Sequence, residues 1–159
     1  MKLNIKHISR ASVIAALYII LTLVSNMMGL ASGAIQLRLS EALTLLPVIF
    51  PESIWGLFIG CFVSNILTGC VVWDIIFGSF ATLIGAIISY KLKNNRFLAS
   101  FAPVASNAVI VPFVLKYAYG LKDAWWYLCV TVGLGEFIVC FFLAPLVIKG
   151  VKKHLKSFN

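Results

Sequence analysis

The chain has 159 residues, of which 62% are apolar and 11% charged, and its mean hydropathy is +1.03. Soluble domains carry about a quarter charged residues, so this composition excludes an ordinary globular fold and points to an all-α integral membrane protein. The length fits a single membrane domain over residues 1–159. The net charge of +8 does not indicate nucleic acid, because the basic residues fall in short clusters between apolar runs. Lys2, Lys6 and Arg10 form one cluster, Lys91, Lys93 and Arg96 a second, and Lys149, Lys152, Lys153 and Lys156 a third. Cytoplasmic loops have this distribution. Cys61, Cys70, Cys129 and Cys140 lie in or beside apolar runs without a CxxC pair, and read as small apolar side chains, not metal or disulfide sites.

Residues 10–30 form the first apolar run, longer than the roughly 7–15 residues of a signal-peptide core, and read as a first span. A loop with Gly29, Ser32 and Gly33 then carries no charge until Arg38. Residues 39–50 are a short second segment ending at Pro47 and Pro51. It is too short for a straight crossing and must be shielded by other helices or be partly re-entrant, since lipid does not tolerate exposed irregular backbone. Further spans are expected over residues 53–69, 74–92, 97–119 and 124–148. Counting the short segment gives six transmembrane helices with both termini cytoplasmic. That arrangement puts ten of the thirteen basic residues inside and leaves Arg38, Lys116 and Lys122 outside. Five spans would put the C-terminal lysines outside, so the charge asymmetry favours six.

The polar residues then gather in the outer half of the bundle, not in a relay across it. Arg38 and Glu41, three apart on one helical face, either neutralise each other or hold a ligand together. Asn65 lies near the outer end of the third span. Asp74 opens the fourth, as a ligand group or as a helix cap. Asn107 is bracketed by Pro103 and Pro112, which either free carbonyls toward a cavity or simply kink the helix. Glu136 sits near the centre of the sixth span beside Gly133 and Gly135. An acid there costs roughly 2.5–3.5 kcal/mol on insertion scales and reads as functional, with an ion pair to Arg38 or a protonated acid bonded to Asn107 as the plainer alternatives.

Small residues mark helix contacts: Gly56 and Gly60 form a GxxxG, and Ala11 and Ala15 repeat the spacing on the inner half of the first span. The alanines suit either internal packing or docking of another membrane subunit. Trp125, Trp126 and Tyr127 read as an interfacial belt. No GxxxxGK[ST], HExxH or GxSxG motif is present, so neither ATP hydrolysis nor a common hydrolase chemistry is expected. With His7 and His154 both near the termini, a metalloenzyme built on Glu41, Asp74 and Glu136 is disfavoured. No catalytic residue, metal or cofactor is expected.

The runs RLSEALTLLP (38–47), GLFIGCFVSNIL (56–67), DIIFGS (74–79) and VGLGE (132–136) together resemble the QueT family. The resemblance covers nearly the whole chain. It implies the substrate-binding S component of an energy-coupling factor (ECF) transporter, which works with a transmembrane coupling subunit and two ATPase subunits. It implies a queuosine precursor, a 7-deazaguanine base, as the small-molecule substrate; an S component for a pterin, thiamine or biotin-like ligand is the alternative. The family's arginine and glutamate fall on Arg38 and Glu41, its asparagine on Asn65, its aspartate and glycine on Asp74 and Gly78, and its glycine and glutamate on Gly135 and Glu136. The coupling-subunit contact falls loosely on Ala11 and Ala15.

Overall fold

A computed structural model of the chain describes residues 5–30 and 36–157. Lys2, Ser32 and Gly33 lie outside the described residues. Among the described residues, four helical stretches are long and apolar enough to cross a membrane: α1 (Ile5–Met27), α3 (Val72–Lys91), α4 (Arg96–Tyr117) and a 30-residue stretch, Trp125–His154. The last comprises α5 (Trp125–Ile138), a π turn (Val139–Leu143) and the greater part of α6 (Ala144–Ser157). The remaining α-helix, α2 (Ser53–Leu67), is shorter but equally apolar. Large apolar side chains such as Ile20, Ile59, Phe80 and Phe142 stand exposed on the outer faces, as on a surface that lipid covers.

The short second segment is not an α-helix. It is two 3₁₀ turns, Leu39–Leu43 and Leu46–Val48. Pro47 removes a backbone donor, and the Thr44 hydroxyl closes onto the Glu41 carbonyl at 2.6 Å, so tight local turns replace the α-helical ladder. Every residue from 40 to 47 is buried, which satisfies the rule against lipid-exposed irregular backbone. The segment descends along α1: the Leu39 N–H donates to Ser25 Oγ at 2.9 Å, Tyr18 donates to Glu41, and Glu52 reaches Arg10. From Ser25 to Arg10 is about 22 Å of helix at about 1.5 Å per residue.

Close approaches fix the other neighbours. Gly56 lies against Ala11, and Gly60 against Ala15 and Tyr18, so α2 runs beside α1 in the same direction. Gly85 faces Pro103 and Ser106 while Ser89 meets Ala99, which makes α3 and α4 antiparallel. Phe113 packs on Trp125 and Phe97 on Phe141, so α5 and the π turn return antiparallel to α4. Tyr18, Leu43, Leu46, Leu57, Cys61 and Ala144 are the centre of the core.

The prolines act differently from one another. Pro103 cannot bond the Ala99 carbonyl, and that carbonyl accepts the Ser89 hydroxyl at 2.7 Å instead of facing a cavity. Pro145 lacks the N–H that would hold the turn before it; Ala144 N–H bonds back to Val139 and the helix widens into the π turn just beyond Glu136.

At the end opposite the cavity described below, Glu52 accepts from His7 Nδ1 (3.0 Å) and Arg10 Nη1 (3.1 Å), and Arg10 also lies over the Phe50 ring at 4.8 Å. Burial alone would raise the Glu52 carboxyl, but its own backbone amide and the His7 and Arg10 bonds outweigh this and hold it below its ordinary value. A carboxyl depressed by folding adds stability that is complete above the unfolded value of about 4.3 and is lost as pH falls through the lower folded value. The thermal stability of the detergent-solubilised protein should therefore fall on that acid side, and Glu52→Gln should remove this part of the pH dependence.

Candidate functional site

Two turns shape the open end of the bundle. The chain turns after α2 at Gly69 (φ +71°) and after α4 at Gly120 (φ +68°), a left-handed conformation glycine adopts without a side-chain clash. The first turn leads through Val71 into Asp74, and the second holds Tyr119 beside them. Tyr119 donates to Asp74 Oδ2 at 3.1 Å and accepts from the Val71 N–H at 3.4 Å.

Between these turns, the chain before Leu39 and the first half of α5 lies a cavity of about 560 Å³. Asn65, Asp74 and Arg38 line it, together with Thr22, Asn26, Gln36, Thr68, Asp123 and Thr131 as further polar groups and Val111, Leu115, Leu128 and Val132 as an apolar wall. Tyr119 and Tyr127 are its aromatic residues. The volume is in the range of small-molecule sites, roughly 300–1,000 Å³. Beneath it a narrow crevice of about 10 Å³ is lined by Glu41, Asn107, Glu136, Thr82 and Gly78. Gln36, Arg38, Val111 and Val132 line both spaces.

The residues singled out from the sequence thus fall on two levels. Asp74 is in the first turn of α3 but is not its cap: Val71 holds that position, without a side-chain bond. The carboxylate turns to Tyr119 and to Arg38, whose Nη2 is 3.7 Å from Oδ2, while Oδ1 is buried with no partner. Asn65 supports it from α2 by donating to the Asp74 carbonyl at 3.3 Å. Gly78 leaves room for this pair, since a Cβ there would stand 3.0 Å from Asp74 Oδ1 and 3.3 Å from Asn65 Nδ2.

Glu41 is deeper than its position in the sequence suggests. Its carboxylate accepts the Tyr18 hydroxyl, about 14 Å below the Met27 end of α1 at about 1.5 Å per residue. Ser25 already anchors Leu39 below that end, and the buried 3₁₀ turn carries Glu41 further down. Its Oε2 has no hydrogen-bond partner. Asn107 and Glu136 meet beside it, and Cys140, one turn after Glu136, lies 3.8 Å from Glu136 Oε2 and 3.9 Å from the Glu41 carbonyl. Cys140 therefore does more than fill space: its thiol sits between the two acids. All four cysteines are free.

Arg38 pairs with neither carboxylate considered for it from the sequence. Within 4 Å its acidic partner is Asp74, because Glu41 is turned down to Tyr18 and Glu136 lies under the crevice. Ala11 and Ala15 sit where α1 meets Gly56 and Gly60, and Ala15 is buried. That face packs α2 within the chain, with Ala11 half-buried.

Tyr18, Tyr119, Gln36 and Asp123 were missed. Tyr18 had one available signal, a hydroxyl in the middle of an aliphatic span, since a buried tyrosine O–H usually finds a partner.

The chain matches the family described as QueT transporter over residues 8–153. It is similar to the queuosine precursor transporter QueT of Lactococcus lactis subsp. cremoris (strain MG1363), with 33% identity over 90 residues that cover 54% of this chain and 53% of that relative. The matched stretch spans about half the length of the curated relative. No solved structure matches.

Proposed function

The chain belongs to the QueT transporter family of multi-pass cell-membrane proteins, and from that premise we propose that it is the S subunit of an ECF importer for a queuosine precursor of the 7-deazaguanine class. The observation that carries this reading is a ligand-sized polar cavity at one end of an apolar bundle, underlain by buried acids. Six crossings with both termini cytoplasmic are supported by the descent of the 39–48 segment along α1 and by the basic residues at the opposite end from the cavity.

In this reading Glu136 accepts the N1–H and 2-amino hydrogens of the base. An ionised acceptor makes such bonds roughly twice as strong as a neutral one. Asn107 donates to the O6 carbonyl. Asp74, on the wall of the larger cavity, receives a cationic aminomethyl arm, with Asn65 and Tyr119 holding it in place. Glu41 supplies a second carboxyl group under the base, and Tyr119 and Tyr127 are the rings able to cover its faces. No step is chemical, and no cofactor takes part.

Import requires a transmembrane coupling subunit and two ATPase subunits. On the inner half of α1, Ala11 and Ala15 serve by holding α2 close; the exposed small pair one turn apart is Ser12 and Ala16, and we place the coupling contact there. The test is uptake of a labelled 7-deazaguanine by cells carrying this chain with a coupling module. Ala16→Trp should leave binding by the purified protein intact and abolish uptake; wild-type uptake would put the docking surface elsewhere. Selective binding of a pterin, thiamine or biotin instead would establish the alternative ligand class.

A further inference from the structure

We infer that in the empty protein the Arg38 guanidinium stands in for the ligand, holding the position above Glu41 and Glu136 that a guanidine-like ligand edge takes when it displaces the arginine. The identity of the ligand rests on the proposed function; the subsite itself rests on geometry.

Arg38 is the charged residue common to the large cavity and the crevice. A guanidinium carries five N–H donors. Its nearest carboxylate oxygen, Asp74 Oδ2 at 3.7 Å, is beyond hydrogen-bond length, so the arginine is held by charge and not by a fork of bonds. Glu41 below it is also short of a donor. Tyr18 serves one of its oxygens and leaves Oε2 buried without a hydrogen-bond partner among the described residues, while Glu136 takes the Asn107 amide and, at 3.8 Å, the Cys140 thiol, a weak donor. A carboxylate lacking a donor beneath a guanidinium without a hydrogen bond to its nearest carboxylate is an arrangement that neutralises charge while leaving the strongest bonds unmade.

The space confirms that something must move. The crevice holds about 10 Å³, on the order of one water, so no bicyclic base reaches Glu136 while Arg38 keeps its place. A 2-aminopyrimidinone edge presents two parallel N–H donors on a planar frame, the same fork arginine offers a carboxylate. Exchanging one fork for the other lets the base make bonds that Arg38 does not make. The displaced guanidinium has Asp123 on the cavity wall to receive it, which leaves Asp74 for the ligand. A site blocked by its own residue binds more weakly by the fraction of time it is open.

The experiment uses the purified full chain in detergent, with guanidinium chloride at low millimolar concentration against equal sodium chloride. For Arg38→Ala, guanidinium should raise the unfolding temperature and compete with 7-aminomethyl-7-deazaguanine, and the variant should bind the base several-fold more tightly than wild type. Wild type should show no such stabilisation. Guanidinium restoring a binding that Arg38→Ala has lost would make Arg38 a ligand contact and overturn the inference. So would an absent guanidinium effect on the variant, or, where wild type binds the base, a variant affinity no tighter than wild type. Should Arg38→Ala fail to fold, Arg38→Met keeps the apolar stem and the same readouts. If guanidinium stabilises the variant but neither protein binds any 7-deazaguanine, the subsite stands and the ligand assignment falls.

Discussion

Glu136→Gln lowers the affinity of the purified protein for a 7-deazaguanine base by about 10–100-fold. The substitution keeps the size of the side chain but replaces an acceptor-only group with one that also donates. A hydrogen bond to a charged group contributes about 1.5–3 kcal/mol, and each 1.4 kcal/mol is tenfold in affinity. Glu136 is buried beside Asn107 and Cys140, so water does not replace what the glutamine loses. Isothermal titration or a ligand-dependent thermal shift reads the change. An unchanged affinity removes Glu136 from the base edge and leaves Asp74, on the wall of the larger cavity, as the principal carboxylate.

Gly56→Val separates α1 from α2. A Cβ at Gly56 would stand 2.5 Å from the Ala11 carbonyl oxygen and 3.2 Å from its carbon, and both belong to backbone that cannot rotate away. The contact continues at Gly60, where a Cβ would be 2.8 Å from that of Tyr18. Overpacking of this kind usually costs about 1–3 kcal/mol, and the rigid acceptor puts this site at the upper end. The effect reaches the ligand site, because Tyr18 on the same face of α1 holds Glu41. The expected result is a lowered unfolding temperature together with weakened binding. Gly150→Ala, where a Cβ would meet nothing within 4 Å, should change neither. A Gly56→Val protein of wild-type stability would show that α1 and α2 do not pack through these residues.

The helices were legible because a run of apolar residues long enough to cross lipid has few other outcomes. α1 already covers Ile5, earlier than the hydropathy suggested, and Glu52 ties down His7 and Arg10 there. The shielding of the second segment followed from Pro47 and Pro51, but its two 3₁₀ turns depend on Thr44 closing onto Glu41, a local bond that hydropathy does not encode. The π turn was missed: a proline such as Pro145 predicts a disturbed turn without saying how it resolves.

At the site, residue types were legible and pairings were not. An acid or amide amid apolar neighbours is conspicuous in sequence, which is why Glu41, Asn65, Asp74, Asn107 and Glu136 were singled out. Their partners depend on which helices become neighbours. Arg38 lies three residues from Glu41 yet faces Asp74 of α3, and Glu41 turns to a tyrosine 23 positions earlier. The stretch from Arg38 to Pro47, a possible self-neutralising pair opening a helix, is instead a buried strap that carries one carboxylate to the floor and leaves the arginine above it.

Mass spectrometry of the small molecule retained by gently purified protein tests the central claim most directly. A 7-deazaguanine base released on denaturation, and absent from a parallel Glu136→Gln preparation, is the result this account predicts. A pterin, thiamine or biotin-like compound retained in its place would contradict it.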